Sequence, residues 1–346
     1  MEKDITTQII SVKEKSSWDY YLKKALDYDF YHTWDYHSLE RNGKPVLIVF
    51  MHGEDFIAFP LIKRNIEGSP YYDCTSAYGY TGPISTLPFE TMDENLIKSF
   101  NQAFTNYLKN EMIVTVFSRF HPLFSQAILL QNLGGLHFNG KTIAIDLKPS
   151  LEEIRLKYKR SVRQKVNQLR RKDYKIHKAS SKVEICAFAR IYNDSMQKLE
   201  ASSFYFFDES YFTKFLSFEN FESEIILCSY EDEITSGILV TFSKNIMQIH
   251  LAATDNRFLQ KSPMKLLFDE AVAIGKARGM KFLHLGSGVG GREDSLYHFK
   301  SCFSDTSFEF MTWRYVVDSY TYNTLIEEKS QSQPIKSQLF PLYRFA

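Results

Sequence analysis

Cysteine is scarce in this chain. Cys74, Cys186, Cys228 and Cys302 are the only four in 346 residues. They lie far apart with no C-x-x-C pair, so neither a zinc site nor a disulfide framework is expected. Net charge is also nearly absent: 42 basic against 41 acidic side chains leave +1. No global field then draws the protein to nucleic acid or membrane, and a basic partner site has to be local. Long apolar runs are missing, none approaching the ~18 residues of a membrane span. The opening "MEKDITTQIISVKEK" is charged from its second residue and holds no h-region of a secretory signal. The nine histidines form no H-E-x-x-H. These absences predict a reduced, cytoplasmic, metal-free protein with no tightly bound cofactor and no transmembrane segment.

Aromatic side chains are plentiful, with 21 Tyr and 29 Phe. Apolar residues at 44% and charged residues at 24% are the proportions of a globular chain with a sizeable core. At roughly 150 residues per domain the length predicts two domains.

The pattern of elements is mixed. Residues 17–40 read as a helix on the spacing of Trp18, Tyr21, Leu22, Ala25 and Leu26. "GKPVLIVFMHGEDFIAFPLIKR" reads as two strands joined at Gly53-Glu54-Asp55. "SPYYDCTSAYGYTGPIS" is a strand followed by an aromatic loop punctuated by Gly and Pro. A helix over 91–109, the strand "MIVTVFSRF", a helix in "PLFSQAILLQNLGG" and the strand "KTIAIDL" complete the first half, which ends near Ser150. In the second half, helices over 151–172, 182–200 and 209–217 precede three strands, "SEIILCSYED", "EITSGILVTFS" and "NIMQIHLAATD". A helix from Ser262 to Arg278, the strand "KFLHL", a helix over 293–302 and the strand "SFEFMTWRYVV" follow. Meander strands, a helix and then further strands indicate an α+β fold rather than a βαβ series. The halves read as two copies of one fold, with domains over 1–148 and 149–346.

"GSGVGG" (286–291) satisfies G-x-G-x-x-G between a strand and a helix. A dinucleotide site also needs a parallel crossover series, and the upstream strands read as antiparallel with fewer than 60 residues remaining. The glycines therefore read as a bend. Downstream, Leu296, Phe299 and Phe303 fall on one helical face. Lys300, about 100° away from Phe299 around the helix, projects elsewhere.

At this point the chain resembles a known family. "HLGSGVGGREDSLYHFKSCFS" is similar to the C-terminal signature of the FemABX-like proteins, a branch of the GNAT acyltransferase superfamily. "YGYTGPIS", "LKYKRSVRQKVNQLRRKDYKI", "YNDSMQKLEASSFYFFDESYF" and "SPMKLLFDEAVAIGKARGMKFLHLG" resemble further family segments in the right order, over about residues 20–325. The resemblance implies two tandem GNAT-like domains, the first degenerate, each a largely antiparallel sheet flanked by helices. It implies transfer of an acyl group, often aminoacyl from aminoacyl-tRNA, onto an amine of a peptidoglycan or polysaccharide precursor. It places Lys300 in the active site, where a cation stabilises the oxyanion formed as an amine attacks an ester or thioester. Thr81 before Gly82-Pro83, and Ile84-Ser85-Thr86 after it, depart from the arginine and aspartate of peptidoglycan-specific members, which leaves the acceptor open.

Donor and acceptor contacts can be sought around these motifs. The stretch "DNRFLQKSPMKLL" stands where a GNAT binds the acyl-CoA pyrophosphate. It offers Arg257, Gln260 and Lys261, with Ser262 as N-cap and Pro263 at N1, but it lacks the usual glycines. On 151–172, Ile154, Tyr158, Val162, Val166 and Leu169 make an apolar stripe, and Lys157, Lys159, Arg160, Arg163, Lys165, Arg170, Arg171 and Lys172 fill the other faces with no acid between Glu153 and Asp173. Such one-sign clustering indicates a phosphate-binding surface, with Lys159 and Arg163 foremost, for tRNA, a nucleotide-sugar or a lipid pyrophosphate. The last of these would bring peripheral membrane contact. Tyr78, Tyr80, Tyr205 and Phe206 are candidates to line an acceptor groove beside Phe299, and Glu200 and Asp208 are candidate bases. Three functions stay open: an aminoacyl or acyl transferase acting on an envelope precursor, an acyl-CoA-dependent N-acetyltransferase acting on a sugar or small amine, and a non-catalytic anion-binding scaffold.

Overall fold

The structure is a computed structural model and describes residues 5–332 and 339–344. In chain order the strands are β1 (Thr6–Ser11), β2 (Lys44–His52), β3 (Asp55–Asn65), β4 (Tyr72–Thr75), β5 (Ile84–Ser85), β6 (Ile113–Arg119) and β7 (Leu136–Asp146). They continue as β8 (Lys175–Lys178), β9 (Glu222–Tyr230), β10 (Glu233–Ser243), β11 (Ile246–Thr254), β12 (Phe282–Gly286) and β13 (Ser307–Val316). The chain divides into two compact units, Met1–Gly140 with Glu309–Ala346, and Lys141–Phe308.

In the first unit the strand order is β1-β2-β3-β4-β6-β13, with β5 beside β3. Strands β1 to β4 pair antiparallel, β6 runs parallel to β4, and β13 closes antiparallel on β6. The crossover from β4 to β6 is carried by helix Glu94–Asn110. This helix buries Ile97, Phe100, Phe104 and Leu108, at steps of three, four and four, against Phe50, Phe59 and Trp313. The second unit repeats this plan. Strands β8 to β11 form the antiparallel meander, helix Met264–Ala277 crosses over, β12 lies parallel to β11, and β7 closes antiparallel on β12. The repeat is one of topology, since the residues themselves show none.

The sixth strand of each unit explains where the expected domain boundary differs from the compact units. The expected division at 148/149 follows chain order, but β13 pairs with β6 at Thr312–Val316. Its Trp313 is fully buried in the first core, so the segment after Phe308 belongs with the first unit.

Other differences are local. The helix expected over 17–40 covers only Lys15–Lys24, followed by short turns at Phe30–His32 and Trp34–His37, and Leu26 is exposed. The helix expected after β6 shrinks to Ala127–Leu130. The helix expected over 151–172 is two, Leu151–Lys157 and Arg160–Arg171. Tyr158 and Lys159 take extended ψ angles of 145° and 143°, and the Lys159 N–H donates to the Cys302 carbonyl at 2.8 Å. Despite the break, Ile154, Tyr158, Val162, Val166 and Leu169 all remain in the second core. Among the described residues no helix is long and apolar enough to cross a membrane.

Candidate active site

In the second unit β11 and β12 pair through only three rungs, Ile246–Phe282 to Gln248–His284. Beyond them β11 runs on to Thr254 while β12 ends at Gly286 and turns into the glycine loop. At the last rung His284 Nδ1 and Gln248 Oε1 stand 2.5 Å apart, both buried. The sequence reading passed over this pair, although a histidine inside the apolar run "KFLHLG" is the signal for it.

The loop is held to the helix that follows it. Asp294 caps helix Ser295–Lys300 by accepting from the Tyr297 N–H at 3.0 Å, and it also accepts from the Val289 N–H at 2.9 Å. Gly288 lies so close that a Cβ there would meet Asp294 Oδ1 at 2.3 Å and the Arg292 carbonyl at 2.1 Å. Glycine is required by this close approach of loop to cap. The six-residue helix and the antiparallel β7 beside β12 agree with rejecting a dinucleotide cradle.

Lys300 ends that helix. Its Nζ donates to the Ser287 carbonyl at 2.7 Å, folding the side chain back under the glycine loop. Burial of the ammonium holds its pKa down to about 8, against which Asp294 acts in the opposite direction. Phe299 takes the anchoring role, packed edge-on to Phe268 at 5.3 Å and against Phe303. Leu296 does not share that face. It is 41% exposed, and Tyr297 is buried instead, because the helix stops at Lys300 and Phe303 enters the core from a turn.

The basic helix begins beside this turn, through the Lys159–Cys302 hydrogen bond and the edge-on contact of Tyr158 with Phe303 at 5.3 Å. One of its cations is already committed: Arg170, together with Arg155, binds the fully buried Asp269 at 2.6–2.8 Å. Among the described residues no carboxylate pairs with Lys159, Arg160, Arg163, Lys165, Arg171 or Lys172. Lys159 and Arg160 are exposed, while Arg163 is half-buried on the same helix.

The donor stretch is less open than expected. Arg257 is clamped by Asp255 at 2.9 Å and Glu233 at 3.0 Å. Ser262 adopts the left-handed conformation (φ 53°) and its hydroxyl faces back to the Leu259 carbonyl, so it does not cap the helix; the N-cap is Pro263, which makes no side-chain bond. Gln260 and Lys261 are exposed on the preceding 3-10 turn. Tyr205 is half-buried and Phe206 is exposed. Asp208 caps helix Glu209–Leu216 through the Tyr211 N–H at 2.8 Å. Next to that helix, His250 of β11 stacks on Phe215 and meets the Tyr211 hydroxyl at 3.2 Å, and burial pushes its pKa down to about 3.

Tyr78 and Tyr80 belong to the first unit, where the loop 76–83 is rigidly tied. Gln126 donates to the Thr81 and Pro83 carbonyls at 2.9 and 2.8 Å and accepts from the His121 N–H. The approach is close enough that a Cβ on Gly82 (φ 82°) would meet Gln126 Oε1 at 2.2 Å. His32 adds a bond from Nε2 to the Thr81 carbonyl at 3.0 Å while Nδ1 accepts from the Asp29 N–H. Burial lowers its pKa to about 4, which keeps the ring in the neutral state that this pattern needs. The Tyr36 hydroxyl donates to the Tyr78 carbonyl, and the Tyr80 ring stands edge-on to Phe310 at 5.0 Å.

No family model and no curated protein sequence matches the chain. Solved structures do. FemX is 13% identical over 92% of this chain and 99% of its own, with a TM-score of 0.71. L-PGS from Bacillus licheniformis is 14% identical over 88% and 92%, with a TM-score of 0.56. A tandem GNAT protein from the clavulanic acid biosynthesis pathway is 8% identical over 90% and 98%, at 0.51. At such identities the likeness is one of fold, and together with the topology repeated in both units it establishes that the chain has the FemABX-like fold of two GNAT units in tandem.

Proposed function

We propose that this protein is an N-acyltransferase that moves an acyl or aminoacyl group onto an amine of a cell-envelope precursor, with Lys300 stabilising the oxyanion. The observation that carries this reading is Lys300, half-buried, with its ammonium tucked under the glycine loop that follows β12 and held by the Ser287 carbonyl. A buried cation costs stability and persists where its charge is used.

In the step proposed, the acceptor amine forms an N–C bond to the donor carbonyl and the carbonyl oxygen gains the charge that Lys300 meets. Collapse breaks the C–O or C–S bond, and the amine proton passes to the leaving oxygen or sulfur. With a pKa of about 8, about nine in ten Lys300 side chains are charged at pH 7.

An aminoacyl-tRNA donor is favoured over acyl-CoA by Arg160, Arg163, Lys165 and Arg171 of the basic helix, which pair with no carboxylate among the described residues, and by the engagement of Arg257 with two carboxylates. The test pairs activity with binding. Lys300→Ala should keep its circular dichroism and lose about 10²–10³-fold in turnover. The folded chain should bind tRNA with an affinity that falls as salt rises. Unchanged turnover in Lys300→Ala removes the assigned role, and thermal stabilisation by CoA without tRNA binding transfers the reading to an acyl-CoA donor.

A further inference from the structure

We propose that His284 and Gln248 are positioning residues for Lys300: their buried hydrogen bond locks the end of β12 to β11 and so fixes the Ser287 carbonyl that holds the ammonium. His284 lies between Leu283 and Leu285, and Gln248 between Met247 and Ile249; all four neighbours belong to the second core. Successive side chains of a strand alternate faces, so both polar side chains project from the reverse face of the sheet, side by side on one rung. His284 is fully buried and Gln248 is 2% exposed. Burying two polar groups costs the fold more than an apolar pair would, and what the polar pair adds is a fixed direction.

The bond can be read atom by atom. Gln248 Nε2 donates to the Ile249 carbonyl at 3.0 Å, which turns Oε1 towards His284. An amide oxygen only accepts, so the proton between the two side chains sits on His284 Nδ1, 2.5 Å away. Amide and ring are both fixed in orientation, and the rung they occupy is the last between β11 and β12. Past it the other edge of β12 is irregular too. His284 pairs with Ala144 of β7 but Gly286 with Ile143, so Leu285 stands out of the ladder.

Gly286 takes a left-handed backbone (φ 78°) that turns the chain out of the strand, and the next carbonyl is the one that accepts from Lys300 Nζ at 2.7 Å. Three residues, at most about 10 Å of chain, separate Ser287 from the His284 tie. A shift of ~1 Å in Ser287 would carry its contact with Nζ beyond hydrogen-bonding distance. Misplacement on that scale costs a reaction about 10²-fold. Loosening the loop also admits water to the ammonium, whose pKa is held down by burial, with Asp294 acting in the opposite direction. The effect on turnover rests on the acyl-transfer reading; the effect on Lys300 itself does not.

The experiment compares the full chain with His284→Leu, Gln248→Leu and the double variant. Removing both polar groups together strands neither donor nor acceptor, so the double variant should keep wild-type stability, and it keeps the test available if a single variant does not fold. The Lys300 pKa is read by carbon-13 NMR of the lysine side chains, with Lys300→Arg to assign the resonance. In each variant it should rise from about 8 towards 10.5. Turnover should fall about 10–10²-fold in kcat with KM unchanged. His284→Asn, whose amide can donate from the place of Nδ1, should restore both. A packing role alone would change stability and leave the Lys300 pKa and kcat as they are. A double variant that folds with the wild-type Lys300 pKa and kcat therefore overturns the positioning role. A raised Lys300 pKa in the double variant, beside normal turnover in Lys300→Ala, upholds the positioning of the lysine and removes only the acyl-transfer role, so the two fail separately.

Discussion

Replacing Lys300 by methionine should stabilise the protein at neutral pH while removing activity. The ammonium ionises at about 8 in the fold against an ordinary 10.5. At about 1.4 kcal/mol per unit, carrying the charge costs the folded state up to about 3 kcal/mol below pH 8. Methionine removes that cost and gives up the bond to Ser287, worth about 1 kcal/mol, leaving a net gain of about 2 kcal/mol at pH 7. Because the pKa is lower in the fold, the wild type regains stability as pH rises from 8 towards 10.5, where the unfolded chain still holds the proton that the native state has released. The advantage of the variant should therefore shrink by about 1 kcal/mol at pH 9 and about 2 kcal/mol at pH 9.5. Urea melts of both proteins at pH 7, 8, 9 and 9.5, compared as differences, cancel every other titrating group. A difference that is flat with pH, or a variant less stable at pH 7 with no trend, would mean that Lys300 is an ordinary solvated lysine, and the argument for a buried functional cation would fail.

Turnover should fall above about pH 8 as Lys300 loses its proton; a rate that instead rises through pH 8 would make the residue a base rather than a cation. Asp269→Asn strands Arg155 and Arg170, and because both retain partial exposure the loss should sit at the low end for a broken buried pair, about 3 kcal/mol by denaturant melt. A loss below 1 kcal/mol would remove Asp269 as the anchor of the basic helix. Neutralising Lys159 and Arg163 should lower the salt-dependence slope of tRNA binding by about 1 for each phosphate contact removed, and an unchanged slope would place the RNA elsewhere.

Much of the fold could be read from pattern because its elements are set locally. The unbroken apolar runs of β2 and β3, buried on both faces and joined at a Gly-Glu-Asp turn, and the steps of three and four in Glu94–Asn110 are local signals. What escaped depends on residues distant in sequence. The break at Tyr158–Lys159 is fixed by the carbonyl of Cys302, and nothing in the continuous apolar stripe announces it. The place of β13 in the first unit depends on pairing with β6, nearly two hundred residues upstream. Within the site, Lys300 came from a motif, and its anchor Phe299 from helical spacing. The engagement of Arg257 by Glu233 and the His284–Gln248 rung are tertiary facts that composition and spacing do not encode. Ser262 shows a further limit: serine before proline reads as an N-cap, yet the 3-10 turn ahead of it forces a left-handed backbone that turns the hydroxyl away.

The shared end of the basic helix and the Lys300 turn has a consequence for control of the reaction. The backbone bond from Lys159 to Cys302 and the Tyr158–Phe303 contact place the start of that helix against the turn that follows Lys300. Phosphates bound along the helix therefore bring negative charge towards a lysine whose pKa has been lowered by burial. A single phosphate charge ~10 Å away at an effective dielectric of about 20 raises a lysine pKa by about one unit, and less once salt screens it. Occupation of the helix by an anionic donor would then raise the charged fraction of Lys300 at pH 8 from about half to about nine in ten, so that the bound substrate extends the working range of the cation by about one pH unit. Titrating the lysine side chains by carbon-13 NMR, with Lys300→Arg to assign the resonance, measures this with and without a short oligoribonucleotide. The expected result is an upward shift in the wild type that Lys159→Gln with Arg163→Gln abolishes. A Lys300 pKa unmoved by a bound oligonucleotide would show that the helix and the lysine are electrostatically separate, whatever their proximity in the backbone.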